Sequence, residues 1–230
     1  MNKMFLFFMI IVCTGFTAHA QTYKIDSSEI SYENKLRPCL SVTYDAESKT
    51  VKKAWDSFFD KNYDVKIKGI GFLTNKDIIT GTDVMIPSIS DKRMNLYARV
   101  IEQGAGSELK YFMSFGYDFF IGPADYPAEF AAMKKILNDF SMKFLNDYYS
   151  DELSDITREI KGLEKDIKKN NRIIKKNKRK ARKASAEVAN GLSAKNTAHY
   201  MENDEYNRKI IELNKRIEII KIKQQGITRN

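Results

Sequence analysis

Residues 151–188 read DELSDITREIKGLEKDIKKNNRIIKKNKRKARKASAEV, and in this stretch an apolar or amide residue recurs at alternating steps of three and four. This spacing predicts an α-helix that buries one stripe, called here the seam, against a second helix. Five heptads at about 1.5 Å per residue predict an arm of roughly 50 Å, too long to lie flat on a small domain. The predicted seam residues are Leu153, Ile156, Ile160, Leu163, Ile167, Asn170, Ile174, Asn177, Ala181, Ala184 and Val188.

The last forty residues contain a partner for this arm. Gly191 suits a helix C-cap and Ser193 a helix N-cap, so a turn is predicted near residues 190–193. A second seam follows at Tyr206, Ile210, Leu213, Ile217 and Ile220. Folding about this turn predicts an antiparallel helical hairpin that pairs Ile174 with Ile210, Ile167 with Ile217 and Leu163 with Ile220. A coiled coil between two copies of the chain is the alternative.

A basic run occupies the far part of the arm. Residues 168–183 read KKNNRIIKKNKRKARK, without an acidic residue. The run predicts contact with an anionic polymer or lipid surface, or with a protein partner, and a solvated face is the alternative. The predicted hairpin places Glu202, Asp204 and Glu205 near its upper part. No base-reading element is visible, which argues against sequence-specific nucleic-acid binding. The ten basic residues are Lys168, Lys169, Arg172, Lys175, Lys176, Lys178, Arg179, Lys180, Arg182 and Lys183.

The charge divides the chain into two domains. Residues 21–150 contain 17 Lys and Arg against 18 Asp and Glu, whereas residues 151–230 contain 21 against 12. All of the excess positive charge therefore belongs to the tail. We predict a head domain over residues 21–149 and a basic coiled-coil hairpin over residues 150–230.

The head pattern predicts an α+β fold with the order ββαββββα. A helix is predicted from Ser48 to about residue 60, with Val51, Trp55, Phe58 and Phe59 on its buried side, and a second helix has a stripe running from Phe130 to Phe144. No strand pair has the crossover that parallel pairing needs, so the sheet is predicted to be antiparallel with helices on one face. The predicted strands are 22–27, 40–44, 65–72, 78–84, 96–101 and 109–117, with a break at 34–38.

An aromatic cluster near the end of the sheet has two interpretations. It is either ordinary core or the lining of a pocket for a small apolar ligand between the sheet and the second helix. The second interpretation makes the protein a ligand carrier. The pocket residues would be Tyr111, Met113, Phe115, Tyr117 and Phe140.

The N-terminus has the pattern of a secretory signal peptide. Lys3 precedes an apolar run over residues 5–16, and Ala18-His19-Ala20 follows as a cleavage site. A membrane-spanning helix needs about 20 apolar residues, so a retained anchor is the less favoured alternative. We predict removal of residues 1–20 and a periplasmic or extracellular mature chain that begins at Gln21 and has no transmembrane segment.

Catalytic motifs are sparse in the mature chain. His199 and Cys39 are its only histidine and cysteine, and they belong to different domains, which disfavours a nucleophile and base pair. Neither a Gly-rich phosphate loop nor a metal-ligand spacing occurs. The sequence therefore predicts a protein that is not an enzyme and needs no cofactor or metal.

Several short motifs together suggest a known group. NLYARV at 95–100, FGY at 115–117 and Tyr126-Pro127 before a helix are combined with an export signal and a Lys/Glu-rich coiled coil. This organisation resembles a group of uncharacterised exported bacterial proteins. The resemblance implies a TBP-like or helix-grip head and carries over no functional residues.

The signal peptide can be tested directly. Produced in a Gram-negative host, the chain is expected in the periplasmic or extracellular fraction, and its N-terminal sequence is expected to begin at Gln21, because the small side chains of Ala18 and Ala20 suit signal peptidase. Replacing Ala20 with Leu should leave the uncleaved chain in the membrane fraction. Recovery of unprocessed wild-type chain from the cytoplasm would contradict export.

Overall fold

The computed structural model describes residues 23–69 and 77–227, so the predicted signal peptide lies outside the described residues. The described strands form one antiparallel sheet in the order β1-β2-β5-β4-β3. The α+β class is confirmed. The elements are β1 (Asp26–Tyr32), β2 (Lys35–Tyr44), α1 (Ser48–Tyr63), β3 (Ile78–Ile86), β4 (Ser90–Gln103), β5 (Gly106–Ser114), α2 (Pro127–Ala181) and α3 (Ala186–Ile227).

The main core lies between one face of the sheet and the helices. Trp55 of α1 is fully buried, and its ring centroid lies 5.0 Å from that of Tyr111 in β5 and 4.8 Å from that of Phe140 in α2. α1 buries Val51, Trp55, Phe58 and Phe59, as its helical spacing predicted. A smaller cluster, built from strand residues and Phe120, covers part of the other face.

The first hairpin differs from the prediction. β1 begins at Asp26 rather than at residue 22, and the chain turns at Glu33 and Asn34, whose φ angles are 52° and 60°. Two consecutive left-handed residues suit the twist of a two-residue hairpin. The predicted break over 34–38 is therefore wrong beyond Asn34. Pro38 fits within β2 because β5 pairs with β2 only from Leu40 onward.

The segment after α1 contributes less strand than predicted. Within its described part, Lys68 and Thr80 form an isolated bridge, with N–H···O distances of 2.7 and 2.9 Å. Residues 70–76 lie outside the described residues. The part of the head that the structure describes thus has three strands after α1 instead of four.

α2 is one helix of 55 residues that belongs to both domains. The predicted boundary near Tyr149 and Ser150 lies inside it, because no Gly or Pro interrupts the helical pattern there. At this point the Tyr149 hydroxyl donates to the two carboxylate oxygens of Asp45 at 2.8 and 3.0 Å, and the ammonium group of Lys223 in α3 binds the same carboxylate. The arm is therefore tied to the head on both helices.

The hairpin turns earlier than predicted. The connection is at residues 182–185, and Gly191 and Ser193 lie within α3. Upstream of Tyr206 the three-and-four spacing continues through Asn203, His199, Asn196, Leu192 and Ala189. Burying this longer row of α3 side chains offsets the cost of placing Gly191 inside a helix, which is about 1 kcal/mol. Ala184 consequently lies exposed in the turn, and Val188 is 53% exposed on α3, so neither belongs to the seam.

Amide pairs reveal the register of the hairpin. The Asn170 side-chain N–H donates to the Asn203 side-chain oxygen at 3.1 Å, and Asn177 donates to Asn196 in the same way at 3.0 Å. Because Asn170 faces Asn203, the predicted pairing of Ile174 with Ile210 and the two related pairs are wrong. Nearer the head, Ile156, Leu213 and Ile220 are buried, as is Ile174 between the two amide pairs.

The buried amides should control register at a cost in stability. Replacing Asn170 alone with Leu leaves the Asn203 amide without this partner and is expected to lower the free energy of unfolding by about 1–3 kcal/mol. Replacing Asn170 and Asn203 together with Leu should restore or raise the free energy of unfolding. The double variant should also have a less defined register and form dimers. Urea unfolding and light scattering measure the two effects. Leu at exposed Asn207 is the control, and an unchanged single variant would contradict the role of the pair.

Candidate functional site: the basic tip of the hairpin

The hairpin tip, defined as residues 172–201, contains most of the excess charge of the protein. It has nine basic residues against one acidic residue, Glu187, while the chain as a whole has a net charge of +9. The remainder of residues 151–230 is nearly balanced, with twelve basic and eleven acidic residues. The positive charge is therefore a local property of the tip.

Seven of the ten predicted basic residues share one surface. They surround a shallow concavity of about 630 Å³ at the end of α2. Steps of three and four residues, as from Arg172 to Lys176 and from Lys176 to Arg179, place side chains on the same helical face. The seven residues, called here the basic concavity, are Arg172, Lys175, Lys176, Arg179, Lys180, Arg182 and Lys183.

The other three predicted residues lie apart from the concavity. Lys168 and Lys169 are exposed nearer the head. The ammonium group of Lys178 lies 5.6 Å from the ring centroid of Tyr200 on α3, in a cation–π contact. This contact joins the two helices at the tip.

The basic concavity has no carboxylate partners within residues 23–69 and 77–227. Nearer the head, ion pairs cross between the helices, as between Lys209 and Glu159 at 2.6 Å and between Arg216 and Glu152. Glu202, one of the carboxylates predicted to offset the upper part of the basic run, instead accepts a hydrogen bond from Asn170 at 3.0 Å. The observed register thus places Glu202 beside the start of the run rather than beside its upper part.

These unpaired charges have a chemical consequence. Arg offers a planar fork of donors that matches phosphate and carboxylate oxygens, and Lys adds point charges. The concavity combines three Arg and four Lys side chains. It is suited to an anion that presents several oxygens, such as a cluster of phosphate groups.

Within the described residues, the five side chains predicted to line a pocket in the head lie in different surroundings. Tyr111, Met113 and Phe140 are packed in the core, where the Tyr111 hydroxyl lies 2.8 Å from the Met113 sulfur. Phe115 packs against the Tyr126 ring, whereas Tyr117 is 97% exposed in a turn. Trp55 and Phe59 of α1 contact Tyr111 from the helix side of the sheet. The structure therefore does not bring the five predicted side chains around one pocket.

Over 23–69 and 77–227, His, Cys, Asp and Glu form no group of three or more that could hold a metal ion. Cys39 is buried, and burial raises the pKa of its thiol. None of the helices described combines the length and apolar character that crossing a membrane requires.

Comparison of the chain with known protein families, with curated proteins and with solved structures finds no match. The resemblance to a group of exported bacterial proteins therefore stays a prediction.

Sequence reasoning found the basic run but not its convergence into a concavity. The missed signal was the upstream continuation of the second seam to Ala189, which sets the turn and the register. A groove between α1 and α2 was also missed, since its walls come from segments about ninety residues apart.

Repulsion within the tip should be measurable. Lys176 lies four residues from Arg172 and from Lys180, and like charges at this spacing destabilise a helix by about 0.2–0.5 kcal/mol per pair. Replacing Lys176 with Glu is expected to raise the free energy of unfolding by about 1 kcal/mol at low salt and by less at 1 M salt. Urea unfolding measures both values.

The control for this prediction reverses a charge outside the tip. Lys215 on α3 lies three residues from both Glu212 and Glu218. Its replacement with Glu should lower the free energy of unfolding. Equal effects of the two substitutions would show that the tip is not under electrostatic strain.

Proposed function

We propose that the protein is an exported, non-enzymatic interaction protein of the cell envelope that contacts an anionic surface through its hairpin tip. The observation that supports this proposal most directly is the basic concavity, whose seven cationic side chains have no carboxylate partner within the described residues. A merely solubilising surface would not need its charges gathered at the end of one helix and separated from acids.

The length of the arm supports the same proposal. Residues 150–181 of α2 extend beyond the head over roughly 48 Å at about 1.5 Å per residue. At physiological ionic strength, charges in water are screened over about 8 Å. The nearly neutral head therefore neither attracts nor repels a surface that the tip touches. The protein can hold its head at a distance from an anionic layer.

The expected partner follows from the predicted compartment. Outside the cytoplasm, clustered phosphates occur on phospholipid headgroups and lipopolysaccharide, and acidic glycans supply carboxylates. Each Lys or Arg close to an anionic membrane contributes about 1 kcal/mol of attraction. An acidic protein bound through the coiled coil is the alternative partner. A carrier of small apolar ligands is the alternative function, although Tyr111, Met113 and Phe140 of its predicted pocket are packed in the core.

Charge removal at the tip tests this function. Replacing Lys175, Lys176, Lys178, Arg179 and Lys180 with Gln should lower binding to vesicles of anionic phospholipid, or to lipopolysaccharide, by three orders of magnitude or more. Binding of the wild-type chain should fall steeply with added salt. Vesicle co-sedimentation at several salt concentrations measures both effects.

The matched control removes the same charge elsewhere. Lys49, Lys134, Lys135, Lys161 and Lys165 are exposed and lie outside the tip. Their replacement with Gln should leave most of the vesicle binding intact. Equal losses of binding in the two variants would show that only the net charge of the protein matters and would contradict a site at the tip. Failure of the wild-type chain to bind either surface would disprove the proposal.

A further inference from the structure

A groove of about 380 Å³ runs between α1 and α2 in the head. Its floor is largely aromatic, from Ala54 and Phe58 of α1 and from Phe140 and Phe144 of α2. The rings of Phe140 and Phe144 are stacked with centroids 5.6 Å apart, and Tyr148 continues the stack at 5.8 Å. Residues at steps of four on one helix therefore form a continuous apolar strip along the groove.

The two ends of the groove have different charge. The Tyr148 hydroxyl lies 3.4 Å from the backbone oxygen of Asp45, just before α1, so the two helices run antiparallel along the groove. Lys61 near the end of α1 is thereby at one end of the groove, whereas Lys53 of α1 and Asp151 of α2 lie toward the other. Apart from the Lys143–Asp147 ion pair, the Lys61 end is cationic and the other end has charges of both signs.

Two of the lysines on the rim are available to a ligand. Lys143 pairs with Asp147 at 2.9 Å. In contrast, neither Lys53 nor Lys61 forms an ion pair with a carboxylate anywhere in the part of the chain that the structure describes. Lys53, Ser57 and Lys61 follow one another at steps of four along the α1 side. The groove thus has an apolar floor beside unpaired positive charge.

We propose that this groove binds an anionic amphiphile with a single alkyl chain, such as a long-chain fatty acid. Its carboxylate would pair with Lys61, and its chain would extend over Phe58, Phe140 and Phe144 toward Tyr148. Sites for small ligands typically have volumes of about 300–1,000 Å³, mostly apolar walls and a few polar groups that fix orientation. At the other end Lys53 is accompanied by Asp151, and this carboxylate disfavours the reverse orientation. This binding is independent of the proposed function of the tip.

The single tryptophan provides a direct assay. Trp55 is the only Trp of the chain, and its ring centroid lies 4.8 Å from that of Phe140 in the groove floor. A brominated alkyl chain quenches tryptophan fluorescence only at short range. The assay uses the chain from Gln21 to Asn230, which contains every residue that the structure describes. Brominated fatty acids are added below their critical micelle concentration.

The expected signal is saturable quenching with a defined specificity. Each added methylene that the groove buries should tighten binding about fourfold until the strip is filled. An alkyl trimethylammonium ion of the same chain length should bind at least tenfold more weakly than the fatty acid, because its cationic headgroup would be repelled by Lys61. Equal binding of the two amphiphiles, or no quenching by either, would overturn the proposal.

Three variants test the location. Replacing Ser57 with Phe should fill the groove and abolish quenching, and Lys61→Glu should weaken fatty-acid binding at least tenfold. Lys49→Glu makes the same charge change on α1 outside the groove and should leave binding unchanged. Circular dichroism confirms that each variant is folded. Unaltered binding in both Ser57→Phe and Lys61→Glu would place the amphiphile elsewhere and refute the assignment.

The tip variant separates this result from the proposed function. The chain with Gln at Lys175, Lys176, Lys178, Arg179 and Lys180 should bind the brominated fatty acid as the wild-type chain does. Loss of vesicle binding with retained quenching would support both sites. Loss of quenching in this variant would contradict a fatty-acid site in the head while leaving the proposed function of the tip standing.

Discussion

The apolar stripe of α2 is buried twice, first against the sheet and then against α3, and the rest of the molecule depends on this continuity. Residues from Phe130 to Tyr149 complete the core of the head, and from Ile156 onward the same helix contributes the seam of the arm. One continuous helix joins the two parts, and Asp45 binds both Tyr149 and Lys223 at the junction. The direction in which the arm leaves the head is therefore set by packing.

The arm is not uniform along its length. Its head-side seam contains Ile and Leu, whereas the part near the tip relies on amide pairs such as Asn177 with Asn196. Apolar burial stabilises the hairpin, and buried amides mainly select its register, because a shifted register would leave them unpaired. The cationic tip thus lies on the weaker part of the arm, where like charges also repel. Binding surfaces are often drawn from such regions of low local stability, and an anion would offset the repulsion.

The head shows how packing changes a functional prediction. The space between the sheet and α2 is filled because Trp55 of α1 inserts its ring against Tyr111 and Phe140. The same arrangement leaves a groove between α1 and α2, whose floor consists of nearly buried aromatic rings beside lysines. The aromatic cluster in the sequence therefore indicated an apolar interior. The groove formed between the two helices rather than between the sheet and α2.

The sequence by itself determined the features that depend on neighbours along the chain: the α+β head, the heptad stripe and the basic run, since apolar periodicity and charge are local properties. The tertiary structure decided the turn at residues 182–185, the register marked by Asn170 and Asn203, and the position of Glu202 beside the start of the basic run. Local signals at Gly191 and Ser193 favoured another turn, and the burial of a longer row of α3 side chains outweighed them. The groove also depends on segments distant in the chain, so no local pattern could predict it.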